Sequence, residues 1–280
     1  MQKNDSNDGA LNEIESDFVE FFSELNQEPR DAIVKAYLAA KHSMDLAGDE
    51  YRNFTLKTTV LYAPYRSDRS EKAAIESYRQ FAYLDMLRFV SYSFPKPSQA
   101  QRYGRALYRV ARGDFRPLRK LFSLGKAARE KTLEDFLDGP RAIVDYGSGG
   151  GYRSFKLAQK YPGTRVTLVD IDSISLDFTA WRFKKHGIPT EVIRVTSERV
   201  YPALPAHDVC IANEVMEHLH RPTAAFNNID EALRPGGILC GNFDDHGREL
   251  FHVSADLGAL RERLRKGYEP IAPHIYRKSR

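Results

Sequence analysis

The chain has 280 residues, 42% of them hydrophobic, and a formal net charge of +4. That length suits one large domain or two small ones with a real core, and no apolar run approaches a membrane-spanning helix. No signal peptide opens the chain, and Cys210 and Cys240 are too few for a disulfide framework, so a cytoplasmic protein is expected.

Residues up to Asp31 are acidic, with Glu13, Glu15, Asp17, Glu20 and Glu24 among them. The first half shows helical periodicity and no convincing strand. Helices are predicted over 11–25, 30–46 and 70–92, the last stopped by Pro95 and Pro97. Ser98 and Gln101 read as a capping box for the next helix, and Thr132 with Asp135 as caps for the last one before Gly139-Pro140. The segment 96–131 is basic, with Arg102, Arg105, Arg109, Arg112, Arg116 and Arg119 at helical spacing and Tyr103 and Tyr108 between them. It suits RNA phosphates, an anionic small substrate, or a solvated face paired with the acidic N-terminal helix. Gly113 and Pro117 interrupt the stripe. The chain divides into a helical N-terminal region, 1–138, that lids or shapes an acceptor pocket, and a second domain, 139–280.

After Pro140 strands and helices alternate, which predicts an α/β fold with a Rossmann-like, mostly parallel sheet covered on both faces. Ile143-Val144-Asp145 is an apolar strand tipped by an acid, and Gly147, Gly149 and Gly151 follow at every second position. Such a turn lets backbone approach a ligand without a Cβ in the way. Helix A should start near Tyr152. Val166 to Val169 forms a second strand ending in Asp170, nineteen residues beyond Gly151, as in a nucleoside-binding βαβ unit. Helix B should start near Ser173 and bury Ile174, Phe178 and Trp181. A third strand is expected at 191–195, a fourth from Asp208 that Asn213 and Glu214 end, a helix burying Phe226, Ile229 and Leu233, a fifth strand at 238–243 and a helix at 255–266. Residues 268–277 close a seven-stranded sheet, whose last strand pair the short tail could abbreviate. Cys210 and Cys240 fall in buried strands and read as small apolar residues.

The dinucleotide fingerprint G-x-G-x-x-G fails in both registers, because Tyr152 and Ser154 stand at its third glycine. The pattern present is D-x-G-x-G-x-G. An acid there repels a diphosphate and tolerates a cationic amine or sulfonium.

Asp145 to Gly151 resembles motif I of class I S-adenosylmethionine (SAM) dependent methyltransferases. Asp208 to Leu219 is similar to that family's fourth strand and its following loop, and Leu233 to Leu239 to the turn before its fifth strand. The Glu217-His218 pair is similar to the ubiquinone-biosynthesis-like branch. The resemblance covers the C-terminal half only. It implies SAM as cofactor, with Asp145, Gly147, Gly149 and Gly151 at the methionine end, Asp170 on the ribose hydroxyls and Ile171 under the adenine. Glu198 is implied at the adenine amine, and Asn213 and Glu214 beside the methyl position.

Methyl transfer from a sulfonium is an in-line displacement that needs positioning and, for a hydroxyl acceptor, a base. His246, with Asp245 beside it, and His218 are the acid–base candidates; a histidine titrates near neutrality. Asp244, Asp245 and His246 lack a distant partner, so no metal is assigned. The stretch Asn213-Glu214-Val215-Met216 departs from the N/D-P-P-Y/F/W motif of amino-methylating nucleic-acid enzymes, and no cysteine suits pyrimidine C5 chemistry. The leading expectation is methylation of a small, in one reading anionic, metabolite or a glycan or lipid-carrier precursor. The alternatives are an RNA methyltransferase using residues 96–131 and a SAM-binding scaffold without turnover. Oligomeric state is not legible.

Overall fold

A computed structural model describes residues 11, 13–35, 37–38, 132–196, 200–243 and 257–280. The predicted helix at 70–92, the basic segment 96–131 and the turn around His246 lie outside the described residues.

Seven strands form one sheet in the order β3-β2-β1-β4-β5-β7-β6. These are β1 (Ala142–Tyr146), β2 (Arg165–Ile171), β3 (Thr190–Val195), β4 (His207–Ile211), β5 (Leu233–Cys240), β6 (Tyr268–Ala272) and β7 (Ile275–Lys278). The first five run parallel, and β7 lies antiparallel between β5 and β6. The tail therefore completes the sheet with a full hairpin. All of β1 is buried, as expected for a central parallel strand covered on both faces, where alternation gives way to a continuous apolar run.

The helices are α1 (Glu13–Asn26), α2 (Tyr152–Lys160), α3 (Ile174–Lys185), α4 (Pro222–Ala232) and α5 (Gly258–Gly267). One face of the sheet packs Ile143, Val166, Leu168, Val209 and Ile211 against Phe155 and Leu157 of α2 and Leu176 and Phe183 of α3. The other packs Val144, Val169, Cys210 and Leu239 against Phe226 and Ile229 of α4 and Leu260 and Leu264 of α5. The described residues of the β3–β4 connection, 196 and 200–206, hold no helix; Tyr201 and Leu204 cover the sheet there instead. The outer strand β3 is accordingly only half-buried, with Glu191 and Arg194 exposed. At the opposite edge β6 exposes Glu269 and Pro270.

The predicted buried stripe of helix B faces two ways. Phe178 is fully buried, but it packs with Ile174 and Trp181 against Phe18, Phe21 and Phe22 of α1, not against the sheet. The acids of α1 meet the last turn of α3: Asp17 pairs with Arg182 and Lys185, each at 2.9 Å, and Glu20 with Lys185 at 2.7 Å. Tyr37, from the helical stretch at 30–35 and 37–38, donates to Glu15 at 2.7 Å in the same layer. Thr132 and Asp135 do cap an element, but it is the single 3-10 turn Leu133–Phe136; the Thr132 N–H donates to Asp135 at 2.7 Å. The fifth strand begins at Leu233, earlier than expected, because Leu233 already pairs with His207 before a bulge at Pro235-Gly236 restores the register.

Candidate functional site

The chain runs β1, β2, β3 outward and then returns to start β4 on the other side of β1. The strand order thus reverses between β1 and β4, and the crevice beyond their carboxyl ends is where an open α/β sheet holds its ligand. The loop Gly147 to Gly151 crosses that crevice. Gly147, Gly149 and Gly151 have φ of 69°, 47° and 61°, the left-handed region that glycine enters without strain. At Gly151 a Cβ would lie 2.6 Å from Thr179 Cγ2 and 3.0 Å from Phe183, so α3 touches the loop directly. At Gly149 a Cβ would meet nothing within 4 Å. That side of the loop faces open space and suits a ligand.

Backbone hydrogen bonds tie the loop to β2: the Gly147 and Ser148 N–H groups donate to the Val169 carbonyl at 2.7 and 3.2 Å. Two side chains then fix Gly149. Its N–H donates to Asp170 Oδ2 at 2.6 Å, and its carbonyl accepts from the Thr179 hydroxyl, also at 2.6 Å. Asp170 Oδ1 accepts the Ile171 N–H at 2.7 Å. Asp170 and Ile171 are half-buried, and an ionised carboxylate such as that of Asp170 is an acceptor on both oxygens.

Asp145 is buried beneath the loop and accepts a hydrogen bond from the buried Ser154 hydroxyl. Burial pushes its carboxyl up to about 7; the Ser154 bond and the Arg153 guanidinium pull the other way, while Asp170 adds to the rise. The Ser148 hydroxyl, also buried in the loop, has no hydrogen-bond partner among the described residues.

The return strand supplies the other wall. Asn213 is half-buried and Glu214 exposed after β4. Glu214 sits at φ 52°, unusual for a non-glycine residue. Asn242, after β5, holds it there: the Glu214 N–H donates to Asn242 Oδ1 at 2.7 Å, and the Asn242 amide donates to the Glu214 carboxylate. The turn Met216–His218 follows, with Glu217 buried and His218 half-buried.

Asp145, Gly147, Gly149, Gly151, Asp170 and Ile171 therefore share one loop-and-strand cluster, and Asn213 and Glu214 line the strand next to it. Glu198, Asp245 and His246 lie outside the described residues. Sequence reading missed Ser154, Thr179 and Asn242. A polar residue on the buried side of a helix was the available signal for Ser154 and Thr179; Asn242 gave none.

The loop and Asp170 fit a nucleoside ligand: one glycine opens onto space, and a half-buried carboxylate stands at the tip of the next strand. Residues 144–239 match the family model described as a methyltransferase domain. Among curated relatives, a malonyl-[acyl-carrier protein] O-methyltransferase of Halalkalibacterium halodurans is 27% identical over 131 residues, covering 45% of this chain and 47% of the relative. A ubiquinone biosynthesis O-methyltransferase of Idiomarina loihiensis is 30% identical over 130 residues, covering 45% and 51%. A trans-aconitate 2-methyltransferase of Rhodopseudomonas palustris is 29% identical over 128 residues, covering 46% and 48%. The chain thus spans about half the length of the curated relatives it matches. Among solved structures, the N-methyltransferase NodS of Bradyrhizobium japonicum aligns with a TM-score of 0.39 at 19% identity, over 51% of this chain and 88% of that one. Among the described residues, no helix is long and apolar enough to cross a membrane.

Proposed function

We propose, from the class I SAM-dependent methyltransferase domain that this chain carries, that it transfers the methyl group of SAM to a small metabolite. The observation that carries this reading is the clamp on Gly149, whose N–H is held by the carboxylate expected to take the ribose. SAM brings an activated methyl on a sulfonium; the protein has to hold it and align the acceptor. In this reading Asp170, at the tip of the strand beside the glycine loop, accepts the ribose hydroxyls. Gly149 brings bare backbone against the ligand, and Asp145 offers an acid to the cationic methionine end. Asn213 and Glu214 flank the methyl position, the latter kept in place by Asn242. Residues 1–138 form the region that shapes the acceptor pocket, residues 139–280 hold the cofactor, and His218 or His246, assisted by Asp245, would take a proton from the acceptor.

The O-methyltransferase names of two relatives support an oxygen acceptor, and the acyl and aconitate names support a carboxylate-bearing one. Calorimetry with S-adenosylhomocysteine tests the cofactor half of the reading. Wild type should bind, and Asp170→Ala should bind at least about tenfold more weakly while still unfolding in one cooperative transition, since a charge-assisted pair of hydrogen bonds to the ligand is lost. Unchanged affinity would remove Asp170 from the ribose role.

A further inference from the structure

The first turn of α2 carries a cation, Arg153, that no motif singles out. Arg153 is exposed at the carboxyl edge of the sheet, and its Nη1 lies 3.2 Å from the Sγ of Cys240 at the tip of β5. It thus reaches from the glycine loop across to the strand beyond β4, past Asn213, whose Oδ1 is 4.0 Å from the same sulfur. Cys240 supplies no countercharge: burial pushes its thiol above the ordinary range, so it stays neutral. Asp145 is the acid whose charge Arg153 feels, and burial keeps that acid half-protonated near neutrality.

Three arginines elsewhere in the described residues are neutralised by acids. Arg182 pairs with Asp17, Arg194 with Asp172 and Asp177, and Arg234 with Asp208, all at 2.9 Å or less. Arg153 makes no such pair with a described carboxylate. A guanidinium presents five donors in a fork matched to a carboxylate, and here one of the five is taken by sulfur. The buried thiol fixes the direction of the fork and leaves its charge for a ligand.

We propose that Arg153 binds a ligand carboxylate at this edge, either that of the amino-acid end of SAM or that of a carboxylate-bearing acceptor. The proposal rests on the methyltransferase reading and adds a recognition group to it.

The test is binding by calorimetry to wild type, Arg153→Gln and Arg153→Lys, with equal melting temperatures as the folding control. If the carboxylate is the cofactor's, Arg153→Gln weakens S-adenosylhomocysteine about tenfold. The same variant holds 5′-methylthioadenosine, which has no carboxylate, within about twofold of wild type, and Arg153→Lys recovers part of the loss. If the carboxylate is the acceptor's, S-adenosylhomocysteine is unaffected. The loss of about tenfold then appears with trans-aconitate added to protein saturated with S-adenosylhomocysteine. A glutamine variant that matches wild type toward both ligands overturns the proposal. A wild-type protein that ignores S-adenosylhomocysteine overturns the methyltransferase reading itself, and the assignment of Arg153 falls with it.

Discussion

At the scale of single residues, the site depends on two carboxylates in different surroundings. Asp170 is half-buried and accepts hydrogen bonds from two N–H groups. Asp145 is buried and keeps its proton to about 7 in the folded chain, against an ordinary 3.8. Between those values the folded state holds a proton that the unfolded chain has lost. Stability from this group is therefore full below the ordinary value and declines as pH rises through 7. Asp145→Asn cannot ionise. It should flatten the fall in melting temperature between about pH 5 and about pH 8, and exceed wild type by about 5 °C at the upper end. Parallel melting curves for both proteins would refute the buried-acid account. The acids and glycines were legible in the sequence because they lie within one strand–loop–strand unit. Ser154 and Asn242 were not, because each acts on a partner brought near only by folding: Ser154 on Asp145 beneath the loop, Asn242 on Glu214 across adjacent strands.

At the scale of elements, α3 is the part that joins the N-terminal helix to the loop. Its Thr179 donates to the Gly149 carbonyl, and its Phe183 abuts Gly151. Thr179→Val keeps the shape and removes the donor. S-adenosylhomocysteine affinity should fall about fivefold, with Thr179→Ser close to wild type, as expected for one lost hydrogen bond. Equal affinities would show that the loop keeps its form without this contact. On its other side α3 holds α1 through Asp17, where burial alone would raise the carboxyl but Lys185, Arg182 and His186 outweigh it and hold it below the ordinary value. Arg182 also lies over the Phe155 ring at 3.6 Å. Asp17→Ala leaves Arg182 buried without its main partner and should cost about 3 kcal/mol in chemical denaturation; a cost under about 1 kcal/mol would mark the pair as solvated. The sequence placed α1 within two residues of its observed ends and the start of α3 at Ser173, which is a true N-cap. The spacing did not show what covers the buried stripe of α3, since a helix can satisfy one face with the sheet and another with a helix more than a hundred residues earlier in the chain.

At the scale of the whole molecule, ligand binding and folding are linked. At a concentration about 100 times its Kd, S-adenosylhomocysteine should stabilise the protein by about 2.7 kcal/mol, a rise of roughly 5 to 10 °C in melting temperature. No shift would mean that the crevice does not take this nucleoside. The alternation of strands and helices after Pro140 made this layout readable. The absence of a helix among the described residues between β3 and β4 was foreshadowed only by the run Tyr201-Pro202-Ala203-Leu204-Pro205, whose two prolines suit an extended strap. The strand order puts β3 at one margin of the sheet, with no strand among the described residues paired on its outer side. Its exposed Glu191 and Arg194 make a second copy an unwelcome neighbour there, and on the far side Glu269 and Pro270 do the same. Swapping Glu191 and Arg194 for valine would turn a guarded margin into an adhesive one, and light scattering on warming would report the clumping before any activity was lost.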